Sequence, residues 1–208
     1  LAADPAALLD SDGAPDPAAF ARAAMRDEKP GGHGDRASAV AAIELAAWDL
    51  KARLAEEPAC ATIARAYGRT PLERVPVYAA GGYYYPGEDA AGLAEELNRY
   101  RAQGYSRFKM KIGGADWETD ARRLDAALAI AGRGDAVAVD ANGRFGLDEA
   151  LAWAERLAPY ALRWFEEPGD PLDYQLMAAL AAVYPGRLAT GENLFSCQDA
   201  VNLIRHGG

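Results

Sequence analysis

The sequence predicts an α/β protein in which helices cover a parallel sheet, and three observations carry that reading. From Val75 onward five short apolar runs occur: VPVYAA, RFKMKI, AVAVD, LRWFEE and RLATGE. They alternate with amphipathic segments near 89–103, 116–131, 147–158 and 171–184, and a further helix is expected to start at Ser196. Strands that alternate with helices are joined by right-handed crossovers, which leave neighbouring strands parallel. Third, an acid recurs at one phase of the pattern. Asp140 closes the third run, Glu166 lies 26 residues later at the end of the fourth, and Glu192 follows the fifth after another 26.

Upstream of the strands the chain reads as helical. The first 37 or so residues mix Ala with Asp, Pro and Gly and support short helical turns at best. From Ser38 to about Glu57, Val40, Ile43, Leu45, Ala47, Trp48, Leu50 and Leu54 recur at helical spacing. Ser38 is the expected N-cap, and Pro58 stands just past the end. A shorter helix is expected around Thr62 to Tyr67.

The first strand leads into Gly81 and Gly82, which allow close backbone approach, and then into Tyr83, Tyr84 and Tyr85. Either one of these tyrosines walls a pocket, Tyr83 being the candidate, or the loop packs against the preceding domain. The second strand sets Lys109 and Lys111 two positions apart, so both leave the same face. Crowding of like charge is expected to lower the lysine pKa, and a lysine that is neutral near neutral pH can serve as a general base. The plainer alternative is an edge strand with both lysines in solvent.

The next three strands each hand over to one of the phased acids. C-terminal ends of neighbouring parallel strands lie side by side, so Asp140, Glu166 and Glu192 are expected around one mouth. Three carboxylates held together repel unless a cation screens them, and an all-oxygen set suits Mg²⁺ better than zinc. Unrelated surface acids are the alternative, but each of these three directly follows an apolar run. Lys109 and Lys111 end the strand before them and face the same mouth.

Composition narrows the class. With 208 residues and 50% hydrophobic content, the chain has enough apolar material for one large domain or two smaller ones. A formal net charge of −9 without a basic run argues against nucleic acid and membrane surfaces as partners and leaves small molecules. Cys60 and Cys197 form no C-x-x-C pair, which fits a reducing, cytoplasmic compartment. No apolar run approaches the ~18 residues of a membrane helix. The chain opens on Leu1 and stops at RHGG, so both ends are expected to be cut.

Four motifs in order, KMKIGG, VDANGRF, WFEEPGDPLDY and TGEN, resemble the enolase superfamily in its mandelate racemase-like branch. AIELAAWDLKARL resembles the helix that this family carries just before its barrel, so the resemblance covers most of the chain. KPGGHGD, YAAGGYYYPGED and EEPGDPLDY are most similar to dehydratases of the tartrate dehydratase type, which act on diacids and sugar acids.

The resemblance implies a modified TIM-type (β/α)7β barrel. About five of its β/α units would lie in residues 75–208, the truncated N-terminal part of the barrel that carries the metal site. Residues 1–74 would be the helical, C-terminal portion of an α+β capping domain. By the same resemblance, Lys111 removes the proton alpha to a substrate carboxylate and Lys109 tunes it. Asp140, Glu166 and Glu192 bind Mg²⁺, which holds the carboxylate and stabilises the enediolate.

Glu167 is expected to point away from Glu166 and to sit behind the ligands. Asn142 and Asn193 either donate to the substrate or only shape turns. The family's catalytic histidine and its acidic partner are expected beyond residue 208. His206, at the end of a helical stretch, and His33, in a glycine-rich loop, do not replace it, although a substrate-facing role stays open for His33. Trp48, Trp117, Trp153 and Trp164 read as core or interface.

The activity implied is Mg²⁺-dependent dehydration of a hydroxy diacid or acid sugar by a homo-oligomeric cytoplasmic enzyme, with the 208-residue chain alone inactive. A racemase or epimerase that shares the first half-reaction is one alternative, and a non-catalytic remnant is another.

Overall fold

A computed structural model of the chain describes residues 4–29, 34–87 and 89–207. The chain divides into two compact units, Leu1–Val75 with Phe195–Cys197, and Pro76–Leu194 with Gln198–Gly208.

The first unit is helical: α1 (Pro17–Ala24), α2 (Gly34–Leu54) and α3 (Ala59–Ala66) follow a short 3-10 turn, Pro5–Leu8. Two expectations are corrected here. The early segment forms more than turns, because Asp16 caps α1 by accepting from the Ala18 N–H at 3.0 Å and Pro17 starts it with a preset φ. The long helix starts at Gly34, so Ser38 is not its N-cap; the Ser38 hydroxyl lies one turn inside and donates back to the Gly34 carbonyl at 3.4 Å. Pro58 does end the helical run and stands as the N-cap residue of α3. Val40, Ala47 and Ala52 are the buried positions of α2, and Trp48 meets Tyr67 at 6.2 Å between ring centroids.

The second unit contains a five-stranded parallel sheet in sequence order: β1 (Ala79–Gly81), β2 (Phe108–Lys111), β3 (Val137–Asp140), β4 (Phe165–Glu166) and β5 (Leu188–Ala189). Between and after the strands run α4 (Ala90–Ala102), α5 (Trp117–Ala131), α6 (Leu147–Leu157), α7 (Tyr174–Val183) and α8 (Cys197–His206). This is the α/β arrangement expected for part of an enolase-type TIM barrel. The strands are shorter than the apolar runs that announce them. In the first run Val77 stays exposed, two residues ahead of β1, whose pairing starts with Ala79 opposite Phe108.

Period-two alternation assigns the two faces of the sheet. Phe108, Met110, Val137, Val139 and Phe165 join Leu97, Leu124, Ala127, Leu157 and Leu180 in one buried apolar layer. The opposite face receives Lys109, Lys111, Ala138, Asp140 and Glu166. Aspartates fix the helix starts that follow the strand-end loops: Asp89 for α4, Asp116 for α5 and Asp173 for α7 each accept from first-turn N–H groups. Among the described residues no helix is long and apolar enough to cross a membrane.

Candidate active site

Register brings the strand ends together. Lys111 lies opposite Asp140, and Asp140 opposite Glu166. β2 is paired on both sides and Lys109 is only 9% exposed, so the reading of a solvated edge strand is excluded. Lys109 Nζ lies 2.6 Å from Glu166 Oε1 and 3.1 Å from Asp140 Oδ2, and Lys111 Nζ lies 2.6 Å from the same Asp140 oxygen.

This geometry corrects the expected lysine pKa. Burial does work to lower that of Lys109, but its bonds to Glu166 and Asp140 outweigh burial and hold it well above the ordinary lysine value. At Lys109, opposite charge at contact distance wins over the like charge two residues along the strand. Asp140 is fully buried, which raises its pKa, yet the bonds from Lys111, the Asn142 N–H and Lys109 bring it below the usual carboxylate value.

Glu166 receives a second hydrogen bond, from the Trp164 indole N–H to Oε2 at 2.8 Å. Trp164, read from sequence as core or interface, therefore touches a candidate ligand. Glu167 has φ +41° and is buried, and its Oε1 accepts from the Asn193 amide at 2.9 Å. Burial raises the Glu167 pKa, the Asn193 bond opposes this, and the charges of Glu192, Asp140 and Glu166 raise it further. Glu192 itself is exposed in the turn beyond β5. Among the described residues no three acidic, histidine or cysteine side chains close on one point at metal distance.

The donor set nevertheless fits a hard divalent cation. Oxygens of Asp140 and Glu166 already converge on the single positive charge of Lys109, and Glu192 follows the neighbouring strand end.

Beside the lysines opens a cavity of about 400 Å³ lined by Tyr83, Tyr84, Tyr85, Lys111, Ile112, Asn142 and Arg144. The Lys111 ammonium sits 5.4 Å from the centroid of the Tyr83 ring. Asn142 has φ +49° and spends its backbone N–H on Asp140 at 2.9 Å, leaving its side chain at the cavity wall. Three candidates, Lys111, Tyr83 and Asn142, thus share one cavity, whereas Asn193 is turned to Glu167.

Sequence reasoning missed a polar network under this wall, in which Asp120 and Arg123 are buried. The Tyr84 hydroxyl donates to Asp120 at 2.6 Å and accepts from the Gly114 N–H at 3.0 Å. Arg123 donates to Asp120 at 2.8 Å, to the Lys111 carbonyl at 3.0 Å and to the Gly82 carbonyl at 2.5 Å, with its guanidinium 4.1 Å from the Tyr84 ring centroid. It ties the loop after β1 to the loop after β2. A signal was available: Asp120 and Arg123 fall on the same helical stripe as Leu124 and Ala127, and charges on a buried stripe ask for partners. His206 ends α8 and is exposed, and His33 lies outside the described residues.

The Enolase C-terminal domain-like family matches residues 92–208. A 3,6-anhydro-alpha-L-galactonate cycloisomerase of Streptomyces coelicolor is 35% identical over 178 residues, 85% of this chain and 46% of that protein. An arabinonate dehydratase of Saccharolobus solfataricus is 29% identical over 175 residues, 84% of this chain and 46% of that protein. Among solved structures, an L-talarate dehydratase from Polaromonas sp. JS666, complexed with Mg and L-glucarate, superposes with a TM-score of 0.75 at 30% identity, covering 92% of this chain and 53% of that one. The chain spans about half the length of the relatives it matches.

Proposed function

This chain belongs to the enolase superfamily, and from that membership we propose that it carries the proton-abstracting and metal-binding residues of a Mg²⁺-dependent dehydratase acting on a hydroxy diacid or an acid sugar. The observation that carries the proposal is the convergence of Lys109, Lys111, Asp140 and Glu166 at three aligned strand ends beside the cavity.

Asp140 and Glu166 would hold the cation, with Glu192 as the third ligand. When bound, the cation would neutralise the substrate carboxylate and the charge that builds on it as the alpha proton leaves. Lys111 takes that proton. It can do so only after leaving Asp140 and losing its own proton. Lys109 keeps Glu166 and Asp140 facing one point. The tyrosine wall shields one side of the cavity from water, and Asn142 offers its side chain to a substrate hydroxyl or carboxylate. Residues 1–74 act as the capping part and 75–208 as the barrel part of such an enzyme.

A racemase or epimerase is the second reading. The similarity to a cycloisomerase at 35% identity favours it, because the first half-reaction is common to both.

The test follows the alpha proton. With Mg²⁺ and a hydroxy diacid in deuterium oxide, NMR should show exchange or loss of that proton, and Lys111→Ala should abolish it while leaving Mg²⁺ affinity nearly intact. Unchanged exchange in Lys111→Ala would place the base elsewhere. Formation of a keto acid identifies the dehydratase, and inversion without loss of water identifies the racemase.

A further inference from the structure

We propose that Arg144 determines the substrate specificity of the cavity by binding a second, distal carboxylate, so that the site selects hydroxy diacids over sugar acids with a single carboxylate. This rests on the reading that the cavity receives the substrate and that Asp140 and Glu166 serve its reacting end.

Arg144 stands between two fixed points. The Gly143 N–H donates to the Glu167 carbonyl at 2.7 Å, and the Phe145 N–H donates to the Pro168 carbonyl at 3.0 Å. Phe145 is buried and stacks on Trp153, with centroids 4.9 Å apart and planes inclined by 19°. With both neighbours anchored to the loop after β4, the Arg144 side chain runs across Gly113, where an added Cβ would come within 3.3 Å of the Arg144 Cδ. That path puts Arg144 on the cavity wall with Lys111.

Charge bookkeeping then separates the two cations. The Lys111 ammonium is engaged by Asp140 at 2.6 Å, whereas Arg144 has no hydrogen-bond or ion-pair partner among the described residues. The described lining residues include Lys111 and Arg144 and no carboxylate, in a chain whose formal net charge is −9. The local sign therefore opposes the global one and suits an anion. The reacting carboxylate belongs at the Asp140 and Glu166 side, which leaves the Arg144 fork to meet charge at the other end of the ligand. A guanidinium binds a carboxylate through two parallel hydrogen bonds, each roughly twice as strong as one to a neutral hydroxyl. A cavity of about 400 Å³ is large enough for a six-carbon acid.

The experiment is calorimetric titration of the purified protein, in MgCl₂, with two matched pairs: galactarate against galactonate and glucarate against gluconate. Members of a pair differ only in whether the terminal carbon is a carboxylate or a primary alcohol. Wild type is expected to prefer the diacid. Arg144→Gln should weaken diacid binding by about ten- to a hundredfold and leave the single-carboxylate acid nearly unchanged. Arg144→Lys should restore part of the preference, which a purely structural role would not produce. Equal weakening of both members by Arg144→Gln, or no diacid preference in wild type, overturns the assignment while the proposed function stands. If wild type binds neither pair, the functional reading falls and this inference falls with it.

Discussion

Lys109 shows what single side chains do at this site. Its ammonium lies between Glu166 and Asp140, so Lys109→Met leaves the part-buried Glu166 without its cation and leaves the buried Asp140 with Lys111 alone. Breaking a buried pair by removing one partner costs on the order of 3 kcal/mol. The variant should therefore melt well below wild type, and added MgCl₂ should recover more stability in it than in wild type, because a cation would now take the place of the lost ammonium beside Glu166 and Asp140. Thermal unfolding with and without MgCl₂ checks this, and a variant as stable as wild type in the absence of Mg²⁺ would show that Lys109 does not hold the pair together. Tyr84 gives a pH-dependent counterpart. Burial, and then the bond to Asp120, raise its pKa well above the usual tyrosine value. The folded state thus binds the phenolic proton more tightly than the unfolded one. Its contribution is complete below about pH 10 and is lost as pH rises above that. Tyr84→Phe should flatten the alkaline fall in stability, and an unchanged slope from pH 9 to 11 would count against a buried Tyr84 proton.

Elements depend on their ends and on backbone approach more than on their apolar runs. Asp116 caps α5 by accepting from the Thr119 N–H at 2.8 Å, so Asp116→Ala should cost about 1 kcal/mol in denaturant unfolding. Gly134, in the turn before β3, is a harder case. A Cβ there would fall 1.9 Å from the Tyr160 carbonyl oxygen, and backbone cannot move aside as a side chain can. Gly134→Ala should destabilise by on the order of 3 kcal/mol, clearly more than loss of the Asp116 cap. If the two substitutions proved equal in an unfolding titration, the close approach beside β3 would be wrong. The cap at Asp116 could be read from sequence, since the aspartate stands just before an amphipathic stretch. The clash at Gly134 could not, because the opposing carbonyl arrives from a loop beyond α6.

At the scale of the whole molecule, the two outer strands of the sheet, β1 and β5, each pair on one side only among the described residues. Unpaired strand edges template further pairing. Leu72, at 74% exposed, and Ile204, at 79%, add apolar surface. We therefore expect the 208-residue chain on its own to associate. Size-exclusion chromatography over a range of concentrations checks this, and a monodisperse monomer at every concentration would overturn it.

The order of strands and helices, their parallel pairing and the placing of Asp140 and Glu166 at adjacent strand ends were legible in the sequence alone, whereas Glu192 lies exposed in the turn beyond β5. Each legible feature follows from local periodicity and from the geometry of crossover connections. Sequence did not show that α2 already includes Gly34, because Ser38 is a capping residue by type, yet its hydroxyl bonds the Gly34 carbonyl inside the helix. Nor did it show that both lysines pair with carboxylates, which holds the Lys109 pKa up instead of down. That outcome depends on Lys109 meeting Glu166 across 57 residues, just as the wall behind Tyr83 depends on Tyr84 meeting Asp120 across 36. Charges and hydroxyls in a buried layer take whatever partner the fold delivers, and only the tertiary structure decides which residue that is.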